Sequence, residues 1–268
     1  MLYIVFFLAP VLVLFRYSFA TSRQLRLELV WTLDNYQAFF GSPLYAPLLL
    51  HSLAVAGLVA ALAVLLGYPV AWIIARAPER RRNLLLILLI IPWWSSFIVR
   101  VFAWYTIFGR SGVINRSLEL LGLTQSPIEF FAFGLPAVVI VELNLYLPLM
   151  ILPIYMTLER LDWNLVLGAR SLGASGFYTF RRIILPLTLP GVIAGIIFVF
   201  MPVAGTFIVP ELLGGTTGLM IGKVIASQFG AASNWAFGAA LATILLAVLL
   251  TALLLLTWIR GRAAGEIY

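Results

Sequence analysis

Six long apolar runs separated by arginine-bearing segments constrain this chain more than anything else in it. They cover Met1 to Phe15, Pro47 to Ala75, Leu84 to Phe108, Phe131 to Leu158, Leu187 to Leu212 and Trp235 to Ile259. About 20 helical residues cross the roughly 30 Å of hydrocarbon in a bilayer, where a chain without water must satisfy its own backbone hydrogen bonds. The runs therefore predict an all-α, polytopic membrane protein with six transmembrane helices in a single domain over residues 1–268. Only 10% of the residues are charged and 63% are hydrophobic, whereas a soluble domain carries about 25% charge. The first run is short for a span, so either Arg16 snorkels to the interface or a native start lies upstream. It also lacks the basic start of a signal peptide.

There is no cysteine and one histidine, which excludes thiol chemistry, disulfides and the usual zinc sites. The formal charge of +7 reads as membrane topology rather than nucleic-acid binding. With the N-terminus inside, Arg76, Arg80, Arg81, Arg82, Arg160, Arg170, Arg181, Arg182, Arg260 and Arg262 are cytoplasmic. Arg16, Arg23, Arg26, Arg100, Arg110, Arg116 and Lys223 fall on the outer side. Once the acids are counted, the two sides carry +6 and +1. The tight group Arg80 to Arg82 between two runs is the strongest sign of this orientation, with both termini cytoplasmic. On the outer side, 32–41 is rich in aromatics, and 112–127 alternates apolar and polar residues as a short surface helix would.

Ionisable residues at membrane depth are functional candidates. Arg100 and Glu142 lie at depths that differ by roughly 5 Å. They either pair to fix two adjacent helices, or Glu142 faces a solute path and attracts a cation. Tyr146 shares the face of Glu142 one turn on, while Asn144 points to a neighbouring helix. Trp104 and Tyr105 fit an interfacial aromatic belt. Trp93 and Trp94, behind Pro92, lie deeper and are candidates for lining the path. His51 reads as an interfacial side chain. Pro202 and Gly205 predict a kink in the fifth span, either a gate or simply a bend. Glu211 sits at the outer mouth, where it receives a cation or is merely solvated.

The polar segment 159–186 carries the most specific signal. Leu165, Ala169 and Leu172 recur at i, i+4 and i+7 and so share one face of a short helix. Gly173 and Gly176 bracket a turn, and a second short helix carries Arg181 and Arg182 to an expected break at Pro186. An amphipathic helix resting on headgroups would have the same composition. The spacing is more particular, because nine residues separate Gly173 from Ile183, and Leu185-Pro186 follows. This resembles the motif of binding-protein-dependent ABC importer permeases, Glu-Ala-Ala, three residues, Gly, nine residues, Ile-x-Leu-Pro. The first triplet here reads Leu167-Gly168-Ala169, so the acidic residue and the first alanine of the motif are missing.

Further stretches resemble the spermidine/putrescine branch of these permeases. They are Phe97 to Gly109 with Gly112-Val113-Ile114-Asn115, Leu147-Pro148 to Asp162, Phe207 to Gly215, Leu219 to Gly222, Asn234-Trp235 and Phe237 to Ala239. The resemblance implies a type I (MetI-like) importer fold in a bacterial inner membrane. It also implies a second, similar permease, a cytoplasmic pair of ATP-binding subunits, an extracytoplasmic solute-binding protein, and a small solute such as a polyamine. By the same resemblance, Leu165, Gly168, Ala169, Arg170, Leu172, Gly173, Ala174, Arg181 and Pro186 form the element that couples to the ATPase. The permease itself would hold no cofactor, which agrees with the lack of a phosphate-binding Gly-x4-Gly-Lys-Ser/Thr loop. A polyamine or related organic cation is the favoured solute, with an amino-acid derivative, an opine or a phosphonate as alternatives within the family. An ion-coupled carrier would need its own intramembrane carboxylates, of which Glu142 alone qualifies. An intramembrane enzyme would need convergent groups, whereas Asp34 and Asp162 lie on opposite sides.

Overall fold

The computed structural model describes residues 2–23, 26–109, 111–124 and 133–265. Arg110, Glu129 and Glu266 of the charge balance, residues 125–127 of the outer segment and Phe131 of the fourth run lie outside them. In chain order the helices are α1 (Leu2–Ser18), α2 (Asp34–Gly41), α3 (Tyr45–Arg76), α4 (Glu79–Ile90), α5 (Phe97–Phe108), α6 (Val113–Leu120) and α7 (Leu135–Glu159). There follow α8 (Trp163–Ser171), α9 (Gly176–Thr179), α10 (Leu185–Ala204), α11 (Ile208–Leu213), α12 (Ile221–Phe229) and α13 (Trp235–Gly265). Between α1 and α2, β1 (Thr21–Arg23) and β2 (Arg26–Glu28) form a small antiparallel hairpin.

Among the described residues, five helical stretches are long and apolar enough to cross a membrane: Tyr45–Arg76, Phe97–Leu120, Leu135–Glu159, Gly176–Ala204 and Trp235–Thr257. α1 adds a shorter apolar stretch, Leu8–Ser18. Leucines at mid-helix, such as Leu65 and Leu254, are 67% and 68% exposed, as lipid-facing side chains are. Arg16 turns onto the Trp31 ring, 4.1 Å from its centroid, and donates to the Leu29 carbonyl at 2.9 Å.

Three expectations are corrected. The run from Leu84 to Phe108 is not one helix, because a 3-10 turn at Ile91–Trp94 separates α4 from α5. Pro92 has no N–H to give, and Ser95 closes the turn by donating from its Oγ to the Pro92 carbonyl at 2.7 Å. Conversely, there is no break at Pro186. Residues Phe180–Ile184 form a π turn, and the helix runs on through Pro186 into α10. A π turn widens the backbone just where the proline ring would otherwise meet a carbonyl of the preceding turn. In the fifth run, where Pro202 and Gly205 predicted a kink within one span, the helix instead ends at Ala204 and a separate helix begins at Ile208.

The chain divides into two compact units. The first contains Met1–Val55, Tyr105–Val138 and Ala204–Ala252. Its core gathers Phe39, Leu48, Leu49, Ile221, Phe237 and Leu241. Buried Ser52 donates to the Leu48 carbonyl and accepts from Ile221 N, each at 2.8 Å, which pins the start of α12 to α3. The start of α7 is held by Gly134 N donating to the Leu213 carbonyl at 2.8 Å and Leu135 N donating to Thr217 Oγ1 at 3.1 Å.

The second unit contains Ala56–Trp104, Val139–Val203 and the residues from Leu253 onward. Its core is formed by α3, α7 and α10, with Ile74, Leu145, Met150, Ile154 and Leu158 buried. Gly67 on α3 and Gly191 and Gly195 on α10 bring their helices against α7, with a side chain fitting tightly at Gly67 and not without a shift at Gly191 or Gly195. Tyr68 and Thr188 share a hydrogen bond of 2.8 Å between α3 and α10.

Candidate functional site

Segment 159–186 lies wholly in the second unit. Asp162 caps α8, its Oδ1 accepting from Asn164 N at 3.0 Å. At the other end Gly173 takes a φ of +89°, Gly173 N donates to the Arg170 carbonyl, and Ala174 N donates to the Ala169 carbonyl, both at 3.0 Å. This pair of bonds is the Schellman closure, and the left-handed residue it requires is the glycine of the motif. Ser175 then caps α9 by accepting from Tyr178 N at 3.3 Å.

α8 buries Val166 toward the protein, while Leu165 stays 50% and Leu172 91% exposed, with Phe177 at 73%. Ala169, Leu172, Gly173, Ala174, Ser175 and Tyr178 line a depression of about 560 Å³. Gly168, Arg170 and Arg181 are exposed, and Pro186 is half-buried at the entry to α10. The predicted apolar face exists, and none of the described residues covers Leu165 or Leu172. What the sequence reading missed is the anchor. Trp163 packs edge-on against Trp72 at 5.6 Å, and Arg76 lies over both rings, at 4.7 Å and 5.4 Å. Glu159 pairs with Arg82 at 3.2 Å. Aromatic residues next to arginine at helix ends were the available signal.

The intramembrane candidates separate into groups. Glu142 on α7 is fully buried. Tyr146, one turn on, lies within electrostatic reach of both Glu142 and Arg100. The Arg100 guanidinium sits 5.6 Å from the centroid of the Trp93 ring. Trp93 Nε1 and Arg100 Nε are buried without a hydrogen-bond partner among the described residues. The structure thus gathers Trp93, Arg100, Glu142 and Tyr146 at the break between α4 and α5 and along α7. Irregular backbone at membrane depth is tolerated where it borders protein or a cavity. Asn144 does reach a neighbouring helix, accepting from Trp104 Nε1 at 3.1 Å.

Trp94 is 86% exposed and stands apart from this group. Pro202 lies in the last turn of α10. Gly205 belongs to the first unit, where it lines an apolar cavity of about 690 Å³ with Leu14, Phe207, Gly222 and Phe229. Glu211 is also in the first unit and pairs with Lys223 at 3.4 Å, a partner the sequence reading did not assign. An exposed pair of this kind contributes about 1 kcal/mol or less.

Long apolar helices, an exposed apolar face on α8 and a buried carboxylate on α7 are the features of a membrane-embedded chain. The sequence profile of the binding-protein-dependent transport system inner membrane component matches residues 63–262, and the chain belongs to that family, the permeases of ABC importers. It is 42% identical over 265 residues to the spermidine/putrescine transport system permease protein PotB of Escherichia coli (strain K12), covering 98% of this chain and 95% of that one. To PotB of Salmonella typhimurium (strain SL1344) it is 40% identical over 264 residues, covering 98% and 91%. Its fold is also that of a chain in the crystal structure of a bacterial ABC transporter involved in the import of the acidic polysaccharide alginate. There the TM-score is 0.74, the identity 18% and the coverage 97% and 92%.

Proposed function

We propose that this chain is a permease subunit of an ATP-driven importer for polyamines of the spermidine and putrescine kind. The observation that carries this reading is identity of 40–42% to PotB proteins along almost the whole of both chains. In the proposed assembly it pairs with a second permease and faces an extracytoplasmic solute-binding protein. A cytoplasmic ATPase pair grips the uncovered face of α8 and α9. The orientation with both termini inside rests on the arginine balance. Closure of the ATPases moves α8, which is joined directly to α7 and, through the π turn, to α10. Transport is then a shift between inward- and outward-open populations.

Buried Glu142 supplies the negative charge that a polyamine needs in transit, with Tyr146 one turn on along α7. The test is uptake of labelled spermidine and putrescine by cells that lack their own polyamine import and express the whole transporter. Uptake is expected with the native chain and reduced with Glu142→Gln at normal membrane levels. Unchanged uptake kinetics in that variant remove Glu142 from the path. Uptake of a different solute class, with none of either polyamine, overturns the solute assignment.

A further inference from the structure

Where α3 leaves its apolar span and α4 begins, a cavity of about 510 Å³ is lined by Trp72, Ile73, Arg76, Pro78, Arg81 and Leu85 among others. Two guanidinium groups thus share its wall with an indole and aliphatic side chains. Arg76 lies over the rings of Trp163 and Trp72, its Cζ 4.7 Å and 5.4 Å from their centroids, and the structure gives it no hydrogen bond or ion pair among the described residues. The same holds for Arg81, and Glu79 makes no ion pair with either. Arg82, one residue on, has its charge met by Glu159 at 3.2 Å. A guanidinium whose N–H groups have no protein acceptor keeps its planar fork of donors for a ligand, and that fork suits the paired oxygens of a phosphate.

The surroundings select among phosphates. The cavity lies at the end of a membrane-spanning helix. Ile73 is 61% exposed beside it, and Leu84, Ile87 and Leu88 of α4 are each more than half exposed. A dissolved anion gains nothing from these side chains, whereas a lipid places its phosphate on the arginines and its acyl chains along them. We propose that this cavity binds the headgroup of an anionic phospholipid, with Arg76 and Arg81 holding the phosphate and Trp72, Ile73 and Leu85 meeting the glycerol and upper acyl carbons. Because Arg76 also stacks on Trp163 in the first turn of α8, the bound lipid tethers that helix to the bilayer surface.

The experiment is native mass spectrometry of the delipidated full-length chain in detergent, titrated with dioleoyl phosphatidylglycerol, with dioleoyl phosphatidylcholine, and with phosphatidylglycerol in the presence of inorganic phosphate. Phosphatidylglycerol is expected to bind preferentially. Arg76→Gln and Arg81→Gln should each weaken it roughly fivefold, while Arg116→Gln, at an exposed site on α6, leaves it unchanged. Arg81 is exposed, so its variant tests the site even where Arg76→Gln folds poorly. Equal binding of the two lipids, or undiminished phosphatidylglycerol binding by Arg81→Gln, overturns the proposal. So does complete displacement of the lipid by millimolar phosphate, which would mark a free-anion site. Loss of the lipid on adding the ATPase subunit overturns it as well, by giving the arginines to a protein carboxylate.

Discussion

Gly191 and Gly195 lie one turn apart on α10, against α7, and the structure gives a graded prediction for adding a methyl group at each. At Gly191 the new carbon would fall 2.5 Å from the Pro153 carbonyl oxygen and 2.8 Å from Thr157 Cγ2, and it would overlap Thr157 Oγ1. Comfortable contact needs about 3.5 Å, so the two helices must part by about 1 Å. Neither obstacle yields easily, since one is backbone and Thr157 is fixed by its bond of 2.8 Å to the Ile154 carbonyl. Overpacking of this kind costs about 1–3 kcal/mol, and Gly191→Ala should sit at the upper end. At Gly195 the nearest atom, at 2.5 Å, is the Met150 sulfur, the movable part of a flexible side chain, and the backbone contacts are longer, at 3.2 and 3.3 Å. Gly195→Ala should therefore cost less. Thermal unfolding of the purified full-length chain in detergent, followed by tryptophan fluorescence, measures the order. Thr157→Ala in the Gly191→Ala background should recover part of the loss, as expected where small residues permit close helix packing. A Gly191→Ala protein as stable as the native chain, or less harmed than Gly195→Ala, would refute this account of the α7–α10 contact.

Other outcomes follow from single contacts. Gly173→Val forces a β-branched residue into a left-handed conformation costing about 1–2 kcal/mol. ATP hydrolysis by the assembled transporter should persist while uptake falls, and normal coupling would show that the turn is not needed. Ser52→Ala leaves the buried Ile221 N–H without its acceptor and should cost about 1–3 kcal/mol. A melting temperature equal to that of the native chain would contradict this. Asp162→Ala removes the cap of α8 at about 1 kcal/mol, which should appear as faster amide exchange over 163–166 and nowhere in α10. Exchange unchanged there would remove the cap from the argument.

The helical spans could be read from the sequence because membrane burial imposes apolar runs whose length the bilayer sets. The end of α8 could be read because only a glycine suits the conformation at 173. The break at Ile91–Trp94 was hidden by the same rule, since Leu84 to Phe108 stays apolar whether or not the backbone is helical. The helix through Pro186 was missed because a proline signals a lost hydrogen bond, whereas the π turn that accommodates it leaves no mark in composition. Partners distant in sequence, such as Ser52 with Ile221 and Lys223 with Glu211, have no local signature. Arg100 and Glu142 stood out in the sequence because charge inside an apolar run is conspicuous. The stacking of Arg100 on Trp93 depends on the break between α4 and α5.

The central claim is that a separate motor protein grips the exposed side of α8 and α9. Leu172 is 91% exposed, so Leu172→Glu should leave folding intact while placing a charge in the contact. Affinity purification of the tagged chain from membranes that also contain the co-expressed ATPase subunit measures this directly. The native chain should retain the ATPase, and Leu172→Glu, at equal yield and melting temperature, should lose most of it. Equal retention by the two proteins would contradict the claim.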